Sequence, residues 1–203
     1  MSTIHASGIQ APQVPHGSHH APLQKDESVK KSFNASYLLF ALSFGVYLVL
    51  LVMMTLMKNR LSLGGLWNPA AHQYRSIDLE LFNGFVTPSV WWAPWVNTFG
   101  NIILFMPFGF FLYRMLRRLN HRFPLVETVL FASVTSLSIE VLQWVFAIGF
   151  SDLDDLLFNT IGGLIGASVA ALISLKSCKV VSGIIMGGSL CVMAMMMYSS
   201  FIA

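Results

Sequence analysis

An uncharged run of about 20 residues, Tyr37–Met57, constrains the fold of this chain more than any other sequence feature. A run of this length and apolarity crosses the hydrocarbon core of a bilayer as a helix. Four further apolar runs follow, at about 96–113, 125–148, 153–175 and 180–201. Only 10% of the 203 residues are charged and 55% are hydrophobic, whereas about a quarter of a soluble domain is charged. The sequence therefore predicts an all-α membrane protein with about five transmembrane helices.

The first 35 residues differ in composition from the rest of the chain. They are rich in Pro, His and Ser, and His16, His19 and His20 lie close together. A segment with so few large apolar residues buries too little surface to fold alone. We therefore expect a disordered His/Pro-rich tail over residues 1–35, with incidental histidines, and a five-helix transmembrane domain over residues 36–203.

The basic residues predict the orientation in the membrane. Cytoplasmic loops are enriched in Lys and Arg, and the short segment between the second and third apolar runs carries four arginines, at positions 114, 117, 118 and 122. If that segment is cytoplasmic, alternation puts nine of the 12 basic residues inside and three, Lys58, Arg60 and Arg75, outside. The N-terminus is then cytoplasmic, and the start of the fourth helix lies at the outer face.

The segment between the first two predicted helices is the only long outer loop. Trp91, Trp92 and Trp95 stand at its end, directly before the second helix. Tryptophans in this position are typical of an interfacial aromatic belt, and a platform on which a ligand stacks is the alternative.

Polar side chains occur in the outer halves of three predicted helices. Within each helix they are three or four residues apart, so they share one face. Ionisable groups inside a span are costly and typically functional. We therefore predict one polar pocket between the second, third and fourth helices, open to the outer face. Its members are Asn97, Asn101, Glu140, Gln143, Asp152, Asp155 and Asn159.

Two interpretations of these residues stay open. Acidic residues at the start of a helix stabilise it by about 0.3–1 kcal/mol each. This stabilisation explains Asp152 as an N-cap and Asp154 in the first turn, and neither residue then requires a functional site. The deeper residues are explained either by interhelical hydrogen bonds or by the pocket. In a pocket, Glu140 is the candidate catalytic acid and Asp155 its partner in acid–base chemistry. The remaining five members are then candidate ligand-binding residues.

Three runs resemble the VanZ-like membrane proteins, a family named for an accessory protein of glycopeptide resistance associated with lower susceptibility to teicoplanin. They are NTFGNIILFMPFGFFL, IEVLQ and DLDDLLFNTIGGLIG, and the resemblance covers about residues 95–175. It implies a multi-pass plasma-membrane protein of the cell envelope, and such domains also occur beside genes for surface polysaccharides. The polar residues that match the family are Asn101, Glu140, Gln143, Asp152, Asp155 and Asn159.

The chain departs from the family pattern at one place. The family has an arginine a few residues before the aspartates, where this sequence reads FAIGFS. If that arginine binds an anionic group in relatives, Arg75 is the remaining candidate for its role here.

Three functions compete. The first is an envelope module that binds or modifies a lipid-linked or cell-wall glycan. The second is a small proton-coupled transporter that uses Glu140, although the chain has no internal repeat of the kind common in carriers. The third is a non-catalytic partner of an envelope enzyme, with contact through the small-residue faces around Gly162 and Gly166 and around Gly183 and Gly187.

The sequence predicts few other ligands. Cys178 and Cys191 form no metal-binding pattern, and we expect no resident metal or organic cofactor. A divalent cation held by carboxylate oxygens is the one cofactor left open. The expected partners are the lipid bilayer, a glycan and an envelope protein, and not nucleic acid.

Overall fold

The computed structural model of the chain describes residues 23–56, 76–86, 88, 90–146 and 150–202. Six helices and two three-residue strands occur in these residues. In chain order the elements are α1 (Leu23–Leu56), β1 (Ser76–Asp78), α2 (Asn83–Val86), α3 (Ala93–Arg118), α4 (Pro124–Phe146), β2 (Phe150–Asp152), α5 (Leu153–Leu172) and α6 (Leu175–Ile202).

Five described helices are long and apolar enough to cross a membrane. The candidate spans are Ser36–Leu56, Ala93–Arg118, Pro124–Phe146, Leu153–Leu172 and Leu175–Ser199. This confirms the predicted all-α membrane class with five transmembrane helices, and the protein is a multi-pass membrane protein.

The chain divides into two compact units, Met1–Asn34 and Ala35–Ala203. In the first unit the backbone is helical from Leu23 onward. Residues 1–22, which hold the histidine cluster of the predicted tail, lie outside the described residues.

Helices α3 and α5 run in the same direction and approach each other through glycines. A Cβ added to Gly162 would collide with the backbone of Ile102, and one added to Gly166 would collide with the backbone of Met106. From the other side, a Cβ on Gly109 would meet the backbone of Gly163. Such close approach of backbones is the usual way in which helices pack inside a bilayer, where no hydrophobic effect draws them together.

Helix α1 packs on α3 through aromatic rings. The rings of Phe44 and Phe111 stack with centroids 5.2 Å apart. The buried Tyr47 hydroxyl donates a hydrogen bond of 2.5 Å to the carbonyl of Leu104. Pro107, which has no backbone N–H to donate, lies in the next turn of α3.

Helix α6 contributes methionines to a smaller cluster with α1. Met196 is almost fully buried there with Leu50, and Met53, Met54 and Met193 pack around them. The unbranched methionine side chain fills irregular gaps of this kind. On the same helix, a Cβ added to Gly183 or Gly187 would meet no atom within 4 Å, so these glycines face no described part of the chain.

The short strands join two connections at one end of the helices. Strand β1 follows α1 and pairs in parallel with β2, which follows α4, in the register Ser76↔Phe150, Ile77↔Ser151 and Asp78↔Asp152. No pattern in the sequence predicted this pairing. It places both connections on the same side, as an alternating topology requires.

Candidate functional site

A carboxylate and two amides join α3 to α5 near their N-termini. Asn97 donates a hydrogen bond of 2.8 Å from Nδ2 to Oδ1 of Asp155, and Asn101 donates to the same oxygen. Asp155 is buried, and the two asparagines lie four residues apart on one face of α3. The predicted grouping of these three residues is therefore present, as an interhelical hydrogen-bond cluster.

Asp154 has a different role from the one expected at the sequence level. Its side chain is 6% exposed, and its two carboxylate oxygens accept from the backbone N–H of Phe82 at 2.9 and 3.0 Å. Phe82 has a φ of 63°, uncommon for a bulky residue, and its ring contacts that of Phe158 edge-on. Asp154 therefore anchors the segment before α2 to α5, a contact that periodicity alone could not reveal.

Asp152 caps α5. Its Oδ1 accepts from the backbone N–H of Asp154 at 2.8 Å, and its own N–H donates to Oε2 of Glu140 at 3.0 Å. Burial raises the pKa of the Asp152 carboxyl to about 6, partly countered by the Asp154 N–H, and the nearby acids Asp155, Asp154 and Asp78 raise it further. This carboxyl therefore titrates at a higher pH than an ordinary aspartate does.

Glu140 and Asp152 line a cavity of about 250 Å³ between β1, α4 and the start of α5. Asp78 is the third acidic residue in its wall. The other lining residues are apolar: Leu79, Leu137, Val141, Trp144, Leu153 and Leu156. The wall of the cavity is thus almost entirely hydrocarbon, and the three acidic residues border it.

Asp78 was not among the predicted site residues. Its carboxylate accepts from the backbone N–H of Glu80 at 3.0 Å and from Nδ2 of Asn83 at 2.9 Å, and these bonds hold its pKa below the usual range. The strand pairing sets it opposite Asp152. The signal in the sequence is weak, because SID is an ordinary tripeptide in a long loop.

Gln143 and Asn159 belong to other contacts. Gln143 donates from Nε2 to the carbonyl of Thr55 at 2.9 Å and so connects α4 to α1. Asn159 donates from Nδ2 to Oγ of Ser136 at 2.9 Å and connects α5 to α4. Both side chains are buried, and their amide oxygens have no hydrogen-bond partner among the described residues. Neither residue lines the cavity.

The seven predicted site residues are therefore distributed over several contacts. Only Glu140 and Asp152 line the cavity, and the other five make hydrogen bonds between helices. Nowhere in residues 23–202, as far as they are described, do three or more His, Cys, Asp or Glu side chains come together in a way that could hold a metal ion.

The three tryptophans at the start of α3 are largely exposed. Trp91 is 77% exposed. The ring of Trp95 stacks on that of Phe99 with centroids 6.1 Å apart and contacts the ring of Phe85 edge-on. Arg75, the candidate replacement for the family arginine, lies outside the described residues.

Comparison with known proteins identifies the family of the chain. The VanZ/LLP1 family model matches residues 44–174, more than half of the chain. The chain belongs to the VanZ/LLP1 family. The match confirms the resemblance that the three sequence runs indicated, and it contains every predicted site residue.

A curated relative supports the same family. Protein VanZ of Enterococcus faecium is 29% identical to this chain over 127 residues, which cover 63% of this chain and 70% of that protein. No solved structure matches the chain.

Proposed function

We propose that this VanZ/LLP1 protein acts at the outer face of the plasma membrane, binds a lipid-linked or cell-wall glycan component there, and lowers susceptibility to glycopeptides such as teicoplanin. The observation that carries the proposal is the cavity at the paired connections, with Glu140 and Asp152 in its wall. The link to glycopeptides is supported by the family resemblance and by the name of the Enterococcus faecium relative.

The two carboxyl groups suit recognition of hydroxyl-bearing ligands. Carboxylate oxygens accept hydrogen bonds from hydroxyls, and a carboxyl with a pKa of about 6 can also give up or take a proton near neutral pH. Glu140 is held beside Asp152 by the hydrogen bond from the Asp152 N–H. If the protein modifies its ligand, these two residues are the candidate acid and base.

Asp155 acts in this proposal as a positioning residue. Its Oδ1 is occupied by Asn97 and Asn101, which fixes the first turn of α5 against α3. The cap residue Asp152, three positions earlier, is thereby held at the cavity.

The test is teicoplanin susceptibility of a susceptible host that expresses the protein. We expect the wild type to raise the inhibitory concentration and Glu140→Gln or Asp152→Asn to remove most of that increase. Glu80→Gln is the matched control, because Glu80 is an exposed acid of the same outer segment that does not line the cavity. Membrane levels are compared through an epitope tag.

Two results would contradict the proposal. One is an unchanged inhibitory concentration on expression of the wild type. The other is full protection by the Glu140→Gln and Asp152→Asn variants at membrane levels equal to that of the wild type.

A role as partner of an envelope enzyme is the second candidate. The observation that favours it is the open face of α6, where Gly183 and Gly187 have no atom within 4 Å of an added Cβ. Small residues on a membrane helix allow close contact with another helix. A partner that co-purifies with the wild type and is lost from Gly183→Leu would support this function, whereas equal recovery with both proteins would count against it.

A further inference from the structure

The connection between α3 and α4 and the connection between α5 and α6 meet at one end of the helices. Arg114, one turn before the end of α3, donates a hydrogen bond from its guanidinium group to the carbonyl of Ile173, the residue that follows α5. Helix α6 begins two residues later, at Leu175. Both connections, residues 119–123 and 173–174, are described throughout. This end of the molecule is therefore a continuous, described surface.

Five exposed basic side chains flank the two connections, and we call them the basic patch. They are Arg117, Arg118, Arg122, Lys176 and Lys179. The Cζ atom of Arg118 lies 4.3 Å from the ring centroid of Tyr37, and that of Arg122 lies 5.1 Å from the ring centroid of Phe123. The face of an aromatic ring attracts a cation without neutralising it. These contacts therefore orient the two guanidinium groups and leave their charge in place.

The chain carries too few acids near the basic patch to neutralise it. Six of its nine acids lie towards the opposite end, from β1 to the residue after it by two, in the second half of α4 and at the start of α5. Even Glu140 is roughly 20 Å along α4 from Glu127. Of the other three acids, Glu127 pairs with His121, and two lie in residues 1–34 beside three lysines. The net charge at this end is therefore positive whichever side chains residues 1–34 bring to it.

The basic patch also lies where membrane spans end, among exposed apolar side chains. Arg118 is the last residue of one candidate span, and Lys176 is the second residue of another. Leu119, Leu172 and Leu175, in and beside the two connections, are 62%, 86% and 77% exposed. A soluble anion would leave these leucines in water, whereas the chains of a lipid would cover them. Charge and apolar surface together fit an amphiphile with a negative head.

We propose that the basic patch binds an anionic phospholipid of the cytoplasmic leaflet. Its headgroup lies among the basic side chains at the two connections, and its acyl chains lie against the leucines beside them. Basic pockets between membrane helices on the cytoplasmic side are a recurrent setting for anionic headgroups. The inference goes beyond the proposed function, because it concerns the end of the helices opposite to the cavity.

Two single-tryptophan proteins locate the bound lipid. In one, all five native tryptophans are replaced by Phe, and Leu119→Trp supplies a reporter beside the basic patch. In the other, only Trp91 is retained, as a matched reporter at the opposite end of α3. Each protein is reconstituted in phosphatidylcholine nanodiscs in which a rising fraction of the lipid is brominated phosphatidylglycerol or, in a parallel series, brominated phosphatidylcholine.

We expect phosphatidylglycerol to quench the Leu119→Trp reporter half-maximally at a mole fraction about fivefold lower than phosphatidylcholine needs, because basic groups at the membrane surface attract anionic lipid. The Trp91 reporter should show no such preference. Inorganic phosphate added at constant ionic strength should leave the quenching unchanged, and displacement by it would assign the patch to a soluble anion and overturn the inference.

Variants connect the preference to the basic side chains. Arg117→Gln, Arg122→Gln, Lys176→Gln and Lys179→Gln, combined in the Leu119→Trp protein, should bring the ratio of the two mole fractions to about one. Glutamine favours helix nearly as well as lysine and arginine, and all four positions are exposed, so the fold is retained. Arg117→Lys with Lys176→Arg keeps the charge and should keep the preference. Size-exclusion profiles confirm that the variants are folded.

Three results would overturn the inference. They are equal quenching of the Leu119→Trp reporter by the two lipids, the same preference at Trp91, and a preference that survives the fourfold variant. The comparison of the two reporters needs no change in the basic patch, so it decides the matter even if the fourfold variant fails to fold. Teicoplanin susceptibility depends on the other end of the molecule, and its outcome is independent of this one.

Discussion

Three aspartates within four positions have three different partners. Asp152 accepts from the N–H of Asp154, Asp154 accepts from the N–H of Phe82, and Asp155 accepts from two asparagine amides. A membrane segment tolerates this density of acids because each carboxylate receives a hydrogen bond. Of the three, only Asp152 also lines the cavity.

Asp152 makes stability depend on pH in the direction opposite to most carboxyls. Its pKa is raised to about 6 in the folded protein, chiefly by burial, so the folded state binds this proton more tightly than the unfolded chain does. The resulting stabilisation is fully present below the unfolded pKa of about 4 and is lost as the pH rises through about 6. We expect Asp152→Asn, which cannot ionise, to lose less stability than the wild type as the pH rises from about 4 to about 6.

Thermal unfolding of the detergent-solubilised proteins measures this difference. The midpoints of wild type and Asp152→Asn should diverge as the pH rises, in favour of the variant. Asp78→Asn is the contrasting control, because the hydrogen bonds from Glu80 and Asn83 lower the pKa of Asp78 and its stabilisation is lost as the pH falls. Midpoints of wild type and Asp152→Asn that stay parallel over the range would contradict the assignment.

The pairing of α3 with α5 is the packing unit that sets the site. Gly162 and Gly166 contact the α3 backbone directly, which lets Asn97 and Asn101 reach Asp155 on the same pair of helices. The sequence offered the small-residue face around Gly162 and Gly166 as a contact for a partner protein, and the structure packs this face against α3 of the same chain. The same spacing on α6 has no described counterpart, because the pattern identifies a smooth face and not its partner.

Substitution of Gly166 on α5 and of Gly187 on α6 tests the two small-residue faces separately. In Gly166→Ala the new methyl group would overlap the backbone of Met106, and backbone cannot move aside as a flexible side chain can. We expect a large loss of folded protein in detergent, with a cost of about 1–3 kcal/mol or more. Gly187→Ala is the matched control, because its Cβ would meet nothing and alanine favours the helix. Size-exclusion profiles and unfolding midpoints measure both, and equal behaviour of the two variants would disprove the packing role.

At the scale of the whole molecule, the distribution of charged residues in the loops and the strand pairing are consistent with the same membrane topology. The β1–β2 pairing places the segments before α2 and before α5 at the same end of the helices. The arginine-rich turn between α3 and α4 is at the opposite end of α3. With that turn in the cytoplasm, the cavity faces outward.

Site-specific labelling tests this orientation. In a background with Cys178 and Cys191 replaced by Ser, a cysteine is introduced by Glu80→Cys or by Asn120→Cys. Both positions are exposed in the folded protein. We expect an impermeant maleimide to label the first in intact cells and the second only after permeabilisation. The reverse pattern would place the cavity in the cytoplasm and rule out an outer-face function.

Patterns within one helix were predictable from the sequence, and contacts between distant segments were not. The five spans, the Asp152 cap and the Gly162 face all follow from composition and short spacings. The hydrogen bond from Phe82 to Asp154 joins residues 72 positions apart, and the contact of Gln143 with Thr55 joins residues 88 apart. Glu140 and Asp155 shared a predicted depth, but depth does not determine which neighbour each side chain turns toward. For that reason Asp78 was missed, and five of the seven residues predicted to form one pocket lie outside the cavity.

The contacts that α3 and the β1–Phe82 segment make with the α5 region have a consequence for biogenesis. Asn97 and Asn101 enter the membrane with α3, yet their carboxylate partner, Asp155, is synthesised more than 50 residues later. The partners of strand β1 and of the Phe82 N–H, which are β2 and Asp154, are likewise synthesised later. Nascent chains that end before α5 therefore carry unsatisfied amides and an unpaired strand β1. Unpaired strand edges of this kind make incomplete chains prone to misassembly, and emergence of α5 is the step that ends this exposure.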